Sequence, residues 1–149
     1  KLFLWFGGFV YGKFLDGINS MKKVSVIIVS YNVRSYLAHA VDAILKSNYE
    51  KLEIIVVDNH SYDGTCDYLK ENYKNIDMLH VISNSDNVGF GKAVNQASEV
   101  ADGEYMMVLN PDTIIEENTI STMVDLMYAR PRAARERGGL QQPPSLQTY

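Results

Sequence analysis

What this sequence has little of sets its first limits. A single cysteine, Cys66, in 149 residues excludes an internal disulfide and any multi-cysteine metal site, and suits a reducing compartment. Its plainest role is that of a small buried apolar side chain. Positive charge is not in excess: the net charge is -4, so the chain carries no electrostatic footprint for nucleic acid and no bulk charge to hold a polyanion. No apolar run reaches membrane-spanning length. The longest candidate, LFLWFGGFVY from Leu2 to Tyr11, is half of the roughly 20 residues a spanning helix requires. His39, His60 and His80 lack metal-ligand spacing, and Ser61 has no identifiable base partner, so Ser-His-Asp hydrolysis is unsupported. No internal repeat of fixed period is present.

What is there fits one globular domain with a real core. From Val24 onward, short apolar runs rich in β-branched residues alternate with longer helical stretches: VSVIIVS, RSYLAHAVDAILKS, EIIVVD and DGTCDYLKENY. The alternation continues through a weaker strand around MLHVIS, a helix through GKAVNQASEVA, the strand YMMVL, and a helix from about Asn118 to Met127. Strands apolar on both faces and separated by helices predict a parallel sheet covered on each side. In the helix expected over 34–47, Leu37, Val41, Ile44 and Leu45 share one stripe.

Two flanks break this pattern. Residues 1–20 form an apolar extension without an initiating Met or a small-residue cleavage site, read as an upstream remnant or truncated anchor ahead of a domain that starts at Met21 and runs to Tyr128. Residues 129–149, ARPRAARERGGLQQPPSLQTY, have no apolar periodicity and change the type of basic residue. Residues 21–128 hold seven lysines and only Arg34, whereas the tail has four arginines and no lysine. An unstructured basic tail and an out-of-frame or foreign segment both remain open.

In an open parallel sheet, ligands bind beyond the carboxyl ends of the strands. One strand ends in Ser30, Tyr31 and Asn32, the next in Asp58 and Asn59, and a later one in Asn110 and Asp112, so all three polar clusters fall on that edge. A single acid after a strand is commonly a cap or turn former; three such endings in register point to a site. Proline ends the last strand physically, because it removes a ladder donor and biases Asn110 towards extended backbone, which leaves Asp112 at the crevice. In NSDNVGFGKAVNQ, Gly89 and Gly91 precede a helix whose amides could face an anion. A dinucleotide fingerprint is disfavoured, because the third glycine position holds Val94 and the segment SYNVRS after the first predicted strand has no glycine.

VSVIIVSYN, EIIVVDNHSYDGT, NVGFGKAVNQA and YMMVLNPDT, in this order and spacing, resemble the nucleotide-binding half of family 2 glycosyltransferases over roughly 21–127. The resemblance implies a truncated GT-A fold, a Rossmann-like three-layer α/β sandwich with a mainly parallel sheet. It also implies a nucleoside-diphosphate-sugar donor, UDP- or dTDP-linked, and Mg²⁺ or Mn²⁺. It assigns Ser30, Tyr31, Asn32, Asp58, Asn59, Asp63, Asn87, Gly89, Asn95 and Asn110 to the nucleotide, with Asp58 accepting a hydrogen bond from a base imide. Asp63 would lie close to the nucleotide or merely cap the following helix. The family's DxD motif is replaced here by NPD, as in some rhamnosyltransferase-like members, which leaves Asp112 as the metal ligand. Lys92 would add a positive charge or simply face solvent.

The expected activity is inverting sugar transfer to an unidentified glycan or lipid-linked acceptor in cell-surface polysaccharide or glycolipid synthesis. By family analogy the setting is cytoplasmic, with peripheral association at the inner membrane face. The family's catalytic base lies in its second half, so none is expected in this chain, which is expected to be inactive alone. A nucleotidyltransferase and a catalytically inactive fragment are the alternatives; the glycine-rich basic loop of the former is absent.

Overall fold

The computed structural model describes residues 2–5 and 22–129. The elements are β1 (Leu2–Trp5), β2 (Val24–Ser30), α1 (Arg34–Leu45), β3 (Leu52–Asp58), α2 (Thr65–Asn72), β4 (Leu79–Ser83), α3 (Phe90–Val100), β5 (Tyr105–Leu109) and α4 (Thr119–Ala129). They build a five-stranded sheet in the order β1-β5-β2-β3-β4, with every pairing parallel. Every residue of β2 and β3 is buried, which is why these strands read as continuous apolar runs without alternation.

Period-two alternation survives in where the side chains go. Val24, Val26 and Ile28 join Ile54, Val56, Met107 and Leu109 in one core with Leu37, Val41 and Ile44 of α1, Leu69 of α2, and Ile120 and Val124 of α4. Ile27, Val29, Ile55, Val57, Met106 and Val108 form the opposite core with Ala93 and Ala97 of α3. Three helices therefore cover one face and α3 the other, giving three layers. The alanines on α3 let its backbone approach the sheet closely. Successive crossovers carry β2, β3 and β4 in one direction, and β5 then returns to the other side of β2. The order reverses between β2 and β5, which makes their carboxyl ends the expected ligand crevice.

One buried charge secures the opposite, amino-terminal edge. Glu53, the second residue of β3, is 4 % exposed. Its carboxylate accepts hydrogen bonds from Ser25 Oγ (2.6 Å), Asp102 N (2.8 Å) and Gly103 N (3.2 Å), and it pairs with Lys23 Nζ at 3.1 Å. The α3–β5 connection is pinned there, and Gly103 is required for close approach. A Cβ at Gly103 would lie 2.4 Å from Ser25 Oγ and 2.6 Å from Ser25 N.

The sequence reading assigned no strand to the N-terminal extension, yet Leu2–Trp5 pairs in parallel with Tyr105–Val108. A four-residue apolar run carries too little periodicity to reveal a strand, and its partner lies about a hundred residues away. The readings of residues 6–21 and of the tail beyond Ala129 fall outside the described residues. No helix among the described residues is long and apolar enough to cross a membrane.

Candidate functional site at the carboxyl edge of the sheet

Ser30, Asp58 and Ser83 stand in one register row across β2, β3 and β4. The ladder continues one residue past the strands, since Asn59 N donates to Ser30 O (2.8 Å) and Asn84 N to Asp58 O (2.9 Å). Beyond that row the backbone must turn sharply, and Asn32 (φ 55°) and His60 (φ 67°) both adopt left-handed conformations. Asparagine and histidine are among the non-glycine residues most often found in that region.

The two loops above β2 and β3 are bolted together. Asn32 N donates to Ser61 Oγ (2.8 Å), and Tyr62 N donates to Asn32 Oδ1 (2.7 Å). Ser61 Oγ in turn donates to Asp58 Oδ1 (2.6 Å), Ser61 N to Asp58 Oδ2 (3.0 Å), and Cys66 Sγ to Asp58 Oδ2 (3.3 Å). Asp58 is 1 % exposed. The residue expected to meet a base imide therefore has its carboxylate engaged by its own loop and by α2. Cys66, read from the sequence as a small buried apolar residue, is half-buried and also lies 3.3 Å from Ser83 Oγ. Burial and the neighbouring Asp58 push its thiol pKa up, which argues against a reactive thiolate.

Asp63 supplies what α1 lacks. Val33 at the N-cap of α1 offers no side-chain cap, and Asp63 Oδ2 from the neighbouring loop accepts from Arg34 N at 2.8 Å. Its other oxygen accepts from Thr65 N (3.2 Å) and Thr65 Oγ1 at the start of α2. Burial alone would raise the Asp63 pKa, but the Thr65 and Arg34 donors outweigh it and hold the carboxyl below its usual value. Replacing Asp63 with alanine is expected to cost about 1–2 kcal/mol, the range for losing a helix cap, read as a lower urea midpoint at unchanged slope.

On the α3 side, Asn59 is 2 % exposed, and its Oδ1 accepts from Asn84 Nδ2 (2.9 Å). Asn84 and Gln96 exchange two amide hydrogen bonds of 3.0 Å each, which ties the end of β4, and β3 through Asn59, to the second turn of α3. Asn87 Oδ1 accepts from Gly89 N (3.0 Å), and Gly89 enters α3 at φ 82°, where a side chain would be strained. Asn95 and Lys92 are exposed on α3. Among the described residues no side-chain hydrogen bond joins Asn87, Gly89 or Asn95 to the ends of β2 or β5.

At β5 the chain leaves the sheet after Leu109, and Thr113 N closes a turn onto Asn110 O (3.1 Å). Asn110 and Asp112 are exposed beside the β2–β5 switch point. No group of three or more His, Cys, Asp or Glu that could hold a metal exists among the described residues. The donor set consequently fits Mg²⁺ or Mn²⁺ only when a diphosphate and waters complete the shell around Asp112, a mode common for hard cations. Ser30 is fully buried, and its Oγ has no hydrogen-bond partner among the described residues. A groove beside α1, lined by His39, Asp42, Lys46, Ile114 and Glu117, contains none of the expected site residues.

Ser61, Asn84 and Gln96 are the members that sequence reasoning missed. Ser61 reaches Asn32, Asn84 reaches Asn59 and Gln96 reaches Asn84 across 29, 25 and 12 residues, distances at which no spacing rule operates.

Residues 25–134 match the model for Glycosyl transferase family 2. Bacillus subtilis TuaG, a teichuronic acid biosynthesis glycosyltransferase by name, is 35% identical over 107 residues, covering 72% of this chain and 42% of its own. Mannosyltransferase PcManGT from Pyrobaculum calidifontis, solved with GDP-Man and Mn²⁺, superposes with a TM-score of 0.69 at 26% identity, over 72% of this chain and 33% of that one. S. aureus TarS in complex with UDP-GlcNAc gives 0.67 at 28% identity, over 73% and 32%. The chain thus spans less than half the length of each of these proteins.

Proposed function

Because the chain belongs to glycosyl transferase family 2, we propose that residues 22–129 form the donor-binding part of an inverting glycosyltransferase that uses a UDP- or dTDP-sugar. The observation that carries this reading is the convergence of Tyr31, Asn32, Asp58, Asn110 and Asp112 on the carboxyl edge, where the strand order reverses. The nucleobase lies on Tyr31, above a floor that Asp58 holds in place through Ser61. Asn32 and Asn59 fix the loops around it, Asp63 positions the starts of α1 and α2, and Asn87, Gly89 and Asn95 line the α3 side. Asn110 and Asp112 face the diphosphate.

In the proposed reaction the acceptor oxygen bonds to the anomeric carbon from the side opposite the leaving diphosphate. The bond from that carbon to the diphosphate oxygen breaks, and the acceptor proton passes to a general base. Asp112 would hold Mg²⁺ or Mn²⁺, which would offset the charge gathering on the departing diphosphate. The base and the acceptor pocket are assigned to a part of the protein beyond the described residues, in keeping with relatives more than twice as long as the matched segment. An acceptor in a cell-surface polysaccharide fits the name of TuaG; a glycolipid acceptor and a cytoplasmic, peripheral setting at the membrane belong to the same proposal.

Calorimetric titration with UDP, dTDP and GDP, with and without Mn²⁺ or Mg²⁺, tests the reading. Metal-dependent binding of UDP or dTDP is expected, with no steady sugar transfer by this chain alone. A folded chain that binds none of the three refutes it, and steady transfer would relocate the base to these residues.

A further inference from the structure

The aromatic residues at the site are not scattered singly over the surface. Tyr31 and Tyr62 are 43 % and 73 % exposed, yet their rings meet at a centroid distance of 6.4 Å with planes inclined at 71°. His60 braces Tyr62 from another side, at 5.0 Å and 78°. Tyr36 and Phe90 are also exposed, at 60 % and 45 %, but neither takes part in a ring contact among the described residues.

The backbone beneath Tyr62 is anchored as firmly as the ring. Its N–H donates to Asn32 Oδ1 at 2.7 Å, and the preceding residue, Ser61, is held by Asp58 through both backbone and hydroxyl. His60, at φ 67°, places its ring against Tyr62. A large aromatic side chain fixed by two rings and a bolted loop, but left open to water, is preorganised for contact with something outside the fold. A planar ligand is the natural occupant, because Tyr31 offers a face for stacking.

We infer that Tyr62, braced by His60, selects the nucleobase: it bounds the space beside Tyr31 so that a single-ring pyrimidine is accepted and a two-ring purine is penalised. This rests on the nucleotide-sugar reading above and deepens it. The geometry explains the direction. A base lying flat on Tyr31 is inclined by the same 71° to Tyr62, so Tyr62 stands across its path instead of extending the stacking surface. The base can grow only on sides that Tyr62 does not occupy. His60 prevents the ring from swinging aside, and Asn32 prevents the loop from lifting. Related folds have been solved with GDP-Man and with UDP-GlcNAc, so the architecture alone does not choose the base.

Selection by exclusion makes a particular prediction, because removing the wall should help the excluded ligand without harming the accepted one. Dissociation constants for UDP and GDP are measured by calorimetry with Mn²⁺ present, for the wild-type chain, Tyr62→Ala, Tyr62→Phe and Tyr31→Ala. Wild type is expected to favour UDP by about tenfold or more, within the range a shaped pocket achieves. Tyr62→Ala should bring the ratio to within about threefold, chiefly through tighter GDP binding, whereas Tyr62→Phe keeps the wild-type ratio because the ring remains. Tyr31→Ala should weaken both ligands. A wild-type ratio near unity, or a Tyr62→Ala ratio equal to that of wild type, overturns the role of Tyr62 and leaves the donor-site reading standing. Failure of the folded wild-type chain to bind UDP, GDP or, in a parallel titration, dTDP overturns both. Tyr62 is largely exposed, so its substitutions are expected to leave the thermal midpoint unchanged, and a circular dichroism melt checks this.

Discussion

Replacing Asp112 with alanine is expected to abolish the metal-dependent part of nucleotide binding, weakening UDP by about a hundredfold in the presence of Mn²⁺ while leaving the weak metal-free binding unchanged. Losing a mere supporting partner of a metal ligand typically costs about ten- to a hundredfold, and in the proposed site Asp112 is the ligand itself. The usual partner acid is absent, because position 110 is asparagine, whose neutral amide cannot replace the lost charge. The effect separates cleanly from folding. Asp112 is exposed, and its carboxylate accepts no hydrogen bond and forms no ion pair among the described residues. Its removal should leave the thermal midpoint within the scatter of ordinary surface substitutions. Titrating UDP with and without Mn²⁺ reads the difference directly, and an alanine variant that retains the full metal enhancement would place the cation elsewhere.

The second large effect lies at the other end of the sheet. Glu53→Ala is expected to lose about 3–5 kcal/mol of stability, because one truncation takes the acceptor from the buried Ser25 hydroxyl and the Asp102 amide, leaves Gly103 N only Ser25 Oγ, and removes one of the two carboxylates paired with Lys23. Urea denaturation measures this, and a loss below about 1 kcal/mol would show that water satisfies those donors. Glu53→Gln should fall between alanine and wild type, since an amide oxygen can still accept but the ion pair is gone. Burial alone would raise the Glu53 pKa, yet the Ser25 hydroxyl, the Asp102 amide and Lys23 together hold it below the usual value. A carboxyl with a depressed folded pKa stabilises fully above its unfolded value, near 4.5, and loses that contribution as pH falls through the folded one. The wild-type chain should therefore lose stability below about pH 4.5 more steeply than Glu53→Gln does.

These two residues illustrate how differently parts of the protein could be read in advance. The position of Asp112 just past a strand end was legible because it follows an apolar run and a proline, both local features. Glu53 was passed over because an acid near the start of a strand carries no signal until Asp102 and Gly103, some fifty residues later, fold onto it. Asp63 shows the intermediate case. Its capping role could be foreseen for α2, which begins two residues later, whereas its service to α1 through Arg34 N depends on two loops meeting. Asp58 was placed correctly at the edge, but its engagement by Ser61 and Cys66 is a matter of side-chain geometry.

The amino-acid order by itself determined the alternation of strands and helices, the parallel sheet with both faces covered, and the family, because each follows from short-range periodicity and from four motifs of contiguous residues. Only the tertiary structure decided that Leu2–Trp5 would edge the sheet beside β5, that Glu53 would anchor the turn into β5, and that Tyr31, His60 and Tyr62 would meet on a locked platform. Those outcomes depend on register between strands far apart in sequence and on which loops become neighbours. Neither is specified until hydrophobic burial has chosen one packing of the whole chain.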